Sequence, residues 1–138
     1  FPSAFTKGER SITTNGLVWM GDTSFMKDQI DEKIAQGFNC IKLKIGALDF
    51  NEEISLLGEI RKYYDENQMI LRVDANGAFS PTEAMIKLEA LADLSLHSIE
   101  QPIAKGQYNT MEDLCSRSPI PIALDEELIG IIKKKKQN

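Results

Sequence analysis

Short apolar runs alternate along the chain with longer stretches in which apolar residues recur at helical spacing. The apolar runs predict five strands, at residues 14–20, 40–46, 69–77, 96–102 and 119–127. Helices are predicted between them, over about 23–36 and 51–66, from residue 80 onward and, as a shorter element, over 109–116. The chain is therefore expected to follow the order β-α-β-α-β-α-β-α-β.

The predicted helices carry start and stop signals. Thr23 or Ser24 is expected to cap the first helix, and Gly37 to end it. Ser80 is expected to cap the third helix, with Glu83 completing a capping box. With these boundaries each helix lies between two strands, as in a series of βα units.

The alternation of strands and helices predicts an α/β protein with parallel strands joined by right-handed crossovers. Two architectures fit this pattern, an open doubly wound sheet and a (β/α)8 TIM-type barrel. The phosphate-binding patterns GxGxxG and GxxxxGK[ST] do not occur in the sequence, which weakens the usual nucleotide-binding versions of the open sheet. The pattern by itself leaves both architectures open.

Charged residues stand at the C-terminal ends of the four strands that follow the first. They are Lys44, Asp74, Glu100 and Asp125, separated by 25 to 30 residues, which is about one βα unit. Side chains alternate along a strand, so Lys42 shares a face with Lys44. In both candidate architectures the carboxyl ends of the strands form the catalytic rim. We therefore expect these side chains to lie side by side at that rim.

Three neighbouring carboxylates would repel one another, and hard oxygen ligands in this number suit Mg²⁺ or a similar ion. A lysine beside such a cation has its ammonium form disfavoured, so its pKa is expected to fall towards the range of a general base. The cation would stabilise the enediolate that forms when a proton α to a carboxylate is removed. The pattern thus predicts metal-assisted proton abstraction with a lysine as base.

Composition and charge exclude several other classes of protein. The 138 residues are 42% hydrophobic and 27% charged, which is ordinary for a globular chain. A net charge of −5 argues against a nucleic-acid partner, although a run of lysines occupies positions 133–136. One histidine and two cysteines argue against a His-rich zinc site and a disulfide scaffold. Cys40 and Cys115 are expected to be buried thiols, and Trp19 to be a packing residue.

The sequence also bears on location. It contains no apolar run long enough for a transmembrane helix, and its first residues show no secretory signal pattern. We therefore expect a cytoplasmic protein without a membrane partner.

Four motifs surround the charged strand ends: IKLKIG, LRVDANGAF, HSIEQPI and IALDEELIG. Their KxK, DxN, EQP and DE patterns resemble, in order and spacing, the barrel of the enolase superfamily in its muconate-lactonizing subgroup. The residues around the last two motifs are most similar to those of the o-succinylbenzoate synthases in that subgroup. The resemblance covers about residues 13–131 and implies a TIM-type barrel.

The resemblance also implies roles for individual residues. Lys44 would be the base that takes the α proton and would then help the hydroxyl leave in a syn dehydration. Lys42 would support the electrostatics near the substrate carboxylate, and Asp74, Glu100 and Asp125 would bind Mg²⁺ or Mn²⁺. The substrate would be a small carboxylate, a succinyl-hydroxycyclohexadiene carboxylate, converted to o-succinylbenzoate in menaquinone biosynthesis.

Two alternatives to this activity stay open from the sequence. A dipeptide epimerase or a muconate cycloisomerase of the same superfamily shares this half of the barrel. A non-catalytic metal-binding module is an alternative from a different class. Each would use the same acidic strand ends, so the motifs do not separate them.

The extent of the resemblance predicts a partial barrel. Residues 1–12 are expected to be irregular, residues 13–131 to hold about strands one to five with their helices, and residues 132–138 to form a basic tail. The family's N-terminal capping domain and last three strands have no counterpart in these residues. We therefore expect the isolated chain to be inactive or barely active, and to self-associate through exposed sheet edges.

Overall fold

The computed structural model describes residues 2–130, which contain five strands and four helices in alternation. Residues 2–15 contain neither helix nor strand, with turns and a bend over residues 4–9, and the predicted basic tail lies outside the described residues. The elements are β1 Gly16–Val18, α1 Thr23–Ala35, β2 Cys40–Lys44, α2 Phe50–Tyr63, β3 Ile70–Asp74, α3 Ala84–Ala92, β4 Ser98–Glu100, α4 Tyr108–Arg117 and β5 Ile122–Ala123. No helix in this part of the chain is long and apolar enough to cross a membrane.

The order of the strands decides between the two predicted architectures. All neighbouring pairs are parallel, and the sheet order is β1-β2-β3-β4-β5, so each strand lies beside the one before it. A doubly wound sheet reverses its strand order at a switch point, whereas a barrel adds each βα unit on the same side. The described residues therefore form five successive strands of a TIM-type barrel, as predicted.

The two faces of the sheet differ in chemistry because side chains alternate along each strand. On the outer face, Ile41, Leu43, Leu71, Val73 and Ile99 are at most 1% exposed. They pack with buried apolar residues of the four helices, which are Met26, Ile30, Leu56, Leu57, Ile60, Ala84, Leu88, Leu91, Met111 and Leu114. The other face carries the polar residues of β2, β3 and β4. The core therefore lies between sheet and helices, and the polar face is left for the site.

The first helix is capped by a different residue from those predicted. Asp22, not Thr23 or Ser24, is the N-cap of α1, and its side chain accepts a hydrogen bond of 2.9 Å from the Phe25 N–H. The Thr23 hydroxyl instead donates to Glu52 on α2. The helix ends as predicted, since Ala35 is its last residue and Gly37 follows with φ of 84°.

The third helix begins later than predicted. Residues 80–83 form a turn, and α3 starts at Ala84. The Ser80 hydroxyl donates to the Glu83 carboxylate, so these two side chains satisfy each other, and Glu83 stands at the N-cap position without a side-chain cap. The capping-box residues therefore meet in a turn that precedes the helix.

The first and last strands are shorter than predicted, and one cysteine is misassigned. β1 and β5 have three and two residues, and in the described sheet each has a neighbour on one side only. Cys40 is buried in β2 as expected. Cys115 is exposed on α4, so the prediction that it is a buried thiol is wrong.

Arg61 of α2 donates hydrogen bonds to two loops at the end of the sheet opposite to the charged rim. Its guanidinium donates to the carbonyl oxygens of Met69 at 2.7 Å, Leu94 at 2.8 Å and Ser95 at 3.0 Å. These carbonyls belong to the segments that lead into β3 and β4. Burial lowers the pKa of Arg61, and the nearby charges of Glu66 and Asp65 oppose that shift. One side chain thus joins two crossovers at the end remote from the site.

Candidate active site

Three of the predicted strand-end residues form one row across the sheet. In the strand register Lys44 pairs with Asp74, and Asp74 pairs with Glu100. Since parallel strands in register point equivalent side chains the same way, the three project from the same face at the same end. Ala123 of β5 takes the next place in the row. The prediction that β2, β3 and β4 present their charged ends side by side is confirmed.

The charged groups of this row make direct contacts. The Lys42 ammonium lies 2.6 Å from Glu100 Oε2 and 3.2 Å from Asp74 Oδ2. The Lys44 ammonium lies 3.0 Å from the same Asp74 oxygen. The Asp74 side chain is 2% exposed, whereas those of Lys42, Lys44 and Glu100 are 15–23% exposed. A buried carboxylate is thus compensated by two ammonium groups that remain accessible.

The surroundings hold Asp74 and Lys42 in their charged forms. Burial alone would raise the pKa of Asp74, but hydrogen bonds from Lys44 and from the Asn76 backbone N–H, together with the charge of Lys42, lower it. Burial alone would lower the pKa of Lys42, but its hydrogen bond to Glu100 and the charge of Asp74 raise it. A raised pKa suits an electrostatic partner better than a proton-abstracting base, so Lys42 fits the electrostatic role.

Asp125 lies apart from the other four predicted residues. β5 ends at Ala123, so Asp125 is two residues beyond the row, in the following loop, and it is exposed. The prediction placed it at the strand end, in register with Glu100, and the early end of β5 is the physical reason for the difference. Among residues 2–130 no three acidic, histidine or cysteine side chains gather closely enough to form a metal cluster.

Gln101, the middle residue of the EQP motif, fixes the loop that carries Asp125, a role that the motif by itself did not indicate. It is fully buried with φ of 42°, a conformation that non-glycine residues rarely adopt. Its side-chain oxygen accepts from the Asp125 N–H at 3.2 Å, and its amide group donates to the Ile103 carbonyl at 3.0 Å. The signal available in the sequence was its position, directly after Glu100 and before a proline.

Asn76 and Glu126 extend the site beyond the predicted residues. The Lys44 ammonium donates to Asn76 Oδ1 at 2.7 Å, and the Asn76 side-chain amide donates to Glu126 Oε1 at 3.1 Å. The other Glu126 oxygen is buried without a partner in the described part of the chain. Asn76 could have been found from its place on the same face as Asp74, whereas its contact with Glu126 depends on the tertiary structure.

The loop after Lys44 is held by a buried acid. The Glu53 carboxylate, on α2, accepts from the backbone N–H groups of Gly46, Ala47 and Leu48 at 2.6 to 3.2 Å. Gly46 has φ of 98°, and a Cβ there would lie 2.4 Å from the Cβ of Ala78. Only glycine fits this position, and the resulting loop fixes the end of the strand that presents Lys44.

Trp19 does not take the packing role that was expected of it. It follows β1 directly and is 57% exposed. Its ring lies at the same rim, with the Lys44 ammonium 5.5 Å from the ring centroid. The expectation is therefore wrong, and the indole belongs to the surroundings of the site.

A profile of the family described as "Enolase C-terminal domain-like" matches residues 26–136 of the sequence. The chain belongs to this family. The resemblance inferred from the KxK, DxN, EQP and DE motifs is thereby confirmed.

Named relatives agree with this assignment. The chain is 54% identical over 131 residues to an o-succinylbenzoate synthase of Desulfotalea psychrophila, covering 95% of this chain and 36% of the relative. It is 35% identical over 111 residues to muconate cycloisomerase 1-1 of Acinetobacter lwoffii, covering 80% of this chain and 28% of that protein. The chain thus spans about a third of the length of these relatives.

Solved structures show the same fold. The crystal structure of MenC from Desulfotalea psychrophila superposes with a TM-score of 0.80 at 53% identity, over 95% of this chain and 36% of that one. The o-succinylbenzoate synthase from Thermosynechococcus elongatus, complexed with Mg in the active site, has a TM-score of 0.74 at 22% identity, over 92% and 40%. The second likeness supports the fold alone.

Proposed function

We propose that this chain carries the proton-abstracting part of an o-succinylbenzoate synthase, a lyase that dehydrates a cyclohexadiene carboxylate in menaquinone biosynthesis. The observation that carries the proposal is the 54% identity to the Desulfotalea synthase over almost the whole chain. The muconate cycloisomerase is 35% identical and an L-Ala-D/L-Glu epimerase of Bacillus subtilis 28% identical. This difference in sequence identity favours the synthase over the two related activities.

In this proposal Lys44 is the catalytic base. It stands at the end of β2, hydrogen-bonded to Asp74 and Asn76, with 15% of its side chain exposed, so its ammonium nitrogen is positioned and still accessible. In its neutral amine form, Lys44 would take the proton from the carbon α to the substrate carboxylate and become an ammonium. It would then give that proton to the departing hydroxyl on the same face, which releases water. Lys42, kept charged by its two carboxylate partners, would attract the substrate carboxylate.

Asp74 and Glu100 are the residues that would hold a divalent cation. Asp125, which lies two residues beyond the row, would become a third ligand on a movement of its loop towards them. Two observations support the fit of Asp74 and Glu100 to a cation. Both carboxylates contact the same Lys42 ammonium, so they lie close together, and the lowered pKa of Asp74 keeps that carboxylate charged. Mg²⁺ is commonly bound through one or two carboxylates together with water. When bound, such a cation supplies Lewis-acid stabilisation of negative charge on a carboxylate. The magnesium in the Thermosynechococcus relative is consistent with this choice.

Calorimetric titration of the purified chain with Mg²⁺ tests the metal site. Binding is expected, and Asp74→Asn should weaken it at least about tenfold, because it removes the charge of the most buried carboxylate. Asp28→Asn, an exposed acid on α1, is the matched control and should leave the affinity unchanged. Equal binding by the Asp74→Asn variant would remove Asp74 from the ligand set.

A chimera tests the activity. The residues of this chain that match the Desulfotalea synthase would replace the corresponding segment of that enzyme, and formation of o-succinylbenzoate would be followed. We expect turnover, and a loss of about 10²- to 10⁴-fold in kcat for Lys44→Ala, as for removal of a general base. Lys27→Ala, exposed on α1, is the control for loss of a lysine. A folded, Mg²⁺-binding chimera that instead epimerises dipeptides would support the epimerase, and one with neither activity the non-catalytic module.

The 138 residues alone are proposed to turn substrate over slowly or not at all. Lys42, Lys44 and Glu100 remain open to solvent in the described structure, and a wet site weakens electrostatic stabilisation. The measurement is the turnover of the purified chain with Mg²⁺ and substrate. A rate close to that of the chimera, abolished by Lys44→Ala, would contradict this proposal.

A further inference from the structure

The loop between β1 and α1 holds Trp19 through its backbone. The Trp19 N–H donates to Gln29 Oε1 at 3.0 Å, and the Gln29 side-chain amide donates back to the Trp19 carbonyl at 3.0 Å. Gln29 is on the second turn of α1. Its side chain thus makes the two backbone hydrogen bonds that a neighbouring strand would make to Trp19 if β1 continued. Both backbone polar groups of Trp19 are thereby satisfied, and its position is fixed.

The rest of the same loop is also constrained. Asp22 caps α1, and the Phe25 ring lies against Gly21 so closely that a Cβ on Gly21 would come within 2.3 Å of it. A side chain at Gly21 would therefore displace the Phe25 ring. The loop is ordered by contacts on both sides of Gly21, yet none of these contacts buries the indole of Trp19.

The indole is directed at the candidate active site. Trp19 is 57% exposed, the adjacent Met20 is 40% exposed, and Phe25 at the start of α1 is 50% exposed. The Lys44 ammonium is 5.5 Å from the centre of the Trp19 ring, within the range of a cation–π contact. A single exposed aromatic side chain carries no functional meaning by itself. Here the backbone is fixed by two hydrogen bonds and the ring adjoins the predicted base.

We propose that Trp19 is a substrate-contacting residue whose indole face binds the unsaturated ring of the carboxylate substrate, which becomes planar in the product, and so contributes to specificity. This inference rests on the proposed function, because it takes Lys44 as the base beside which the substrate lies. A flat, unsaturated ring can stack on an indole at low conformational cost, and an aliphatic acid lacks a face to do so. Trp19 would therefore favour ring-bearing carboxylates over aliphatic ones at this rim.

Two ligands that share a succinyl group separate ring recognition from carboxylate recognition. They are o-succinylbenzoate, which has a ring, and succinate, which has none, each titrated into the chain with Mg²⁺. Trp19 is the sole tryptophan, so its emission reports this position alone. We expect o-succinylbenzoate to change the intensity or wavelength of Trp19 emission, and succinate to leave it nearly unchanged.

Calorimetry of variants supplies the energetic comparison. Trp19→Ala should weaken o-succinylbenzoate binding by between about threefold and tenfold, the range expected for loss of an aromatic stacking contact. Trp19→Phe keeps a flat ring and should bind within about twofold of the unaltered chain. Succinate binding should be the same in all three proteins. Tyr63→Ala, which removes a 75% exposed aromatic ring at the far end of α2, is the matched control.

The outcomes distinguish this inference from the proposed function. Equal o-succinylbenzoate affinity in the unaltered and Trp19→Ala chains would overturn the role of Trp19 and leave the metal site intact. The absence of o-succinylbenzoate binding by a chain that binds Mg²⁺ would also overturn it. Conversely, binding that Trp19→Ala weakens in a chain that does not bind Mg²⁺ would support the Trp19 contact and reject the proposed metal site.

Discussion

The two cysteines of this chain occupy opposite environments. Cys40 starts β2 with 6% of its surface exposed, while Cys115 lies on the outer surface of α4. Burial raises the pKa of the Cys40 thiol above its ordinary value, and the positive charge of Arg72 only partly opposes this. Because the thiolate is the reactive form, the low exposure of Cys40 and its raised pKa both protect it from reaction. Cys115 stands in the mixed stretch MEDLCSR and Cys40 opens the apolar-rich strand CIKLKI, so residue type alone did not separate the two thiols.

Alkylation with iodoacetamide should therefore label Cys115 in the native chain at least about tenfold faster than Cys40. Raising the pH towards 9 should leave Cys40 protected, because its thiolate stays the minor form below its raised pKa. Peptide mass spectrometry measures both rates in one sample. Unfolding in urea is the control and should make the two rates similar. Equal labelling in the native state would contradict the burial of Cys40.

Among the secondary-structure elements, the four helices differ in how their N-terminal ends are capped. Asp22 caps α1 and Asp49 caps α2, each through a side-chain hydrogen bond of 2.9 Å to a backbone N–H. The described starts of α3 and α4 have no such side-chain cap. Three consecutive residues, Asp22, Thr23 and Ser24, all have the chemistry of an N-cap, so composition alone cannot choose among them. The extended backbone of Asp22 makes the choice.

Replacing Asp22 by Ala should lower the free energy of unfolding by about 1 kcal/mol, because an N–H in the first turn of α1 loses its acceptor. The matched variant Ser24→Ala should change it by less than about 0.5 kcal/mol. Urea denaturation followed by circular dichroism measures both. A larger loss for Ser24→Ala than for Asp22→Ala would show that the cap is wrongly placed.

For the whole molecule, the sheet has two edges in the described structure. β1 pairs only with β2, and β5 only with β4. An unpaired strand edge is a template for pairing with another chain. We therefore expect two copies of the chain to associate through the edge of β1 or β5. The polar face of the sheet would adjoin that interface.

Sedimentation velocity over a range of concentrations should reveal association of the chain. Leu17→Lys places a charge on the β1 edge and should weaken that association at least about tenfold. Leu17 pairs with Lys42 in the register, so the new side chain would point to the polar face and not into the core. Ile86→Lys, at a 67% exposed position on α3, is the control for added charge. A monomer at every concentration would contradict the prediction.

The sequence by itself determined the alternation of elements and most of the site. Lys42, Lys44, Asp74 and Glu100 could be placed together because the two-residue period of a strand and the length of a βα unit are local properties. The family followed from the same motifs. The place of these four residues at a common rim does not depend on knowing which strands are neighbours, although their direct contacts do.

Only the tertiary structure decided the remaining features. The strand order that separates a barrel from a doubly wound sheet is set by which crossovers pack beside one another. The displacement of Asp125, the contact between Asn76 and Glu126, and the exposure of Trp19 all depend on residues far apart in the chain. Such contacts leave no local period in the sequence, because packing between distant segments fixes them and propensity does not.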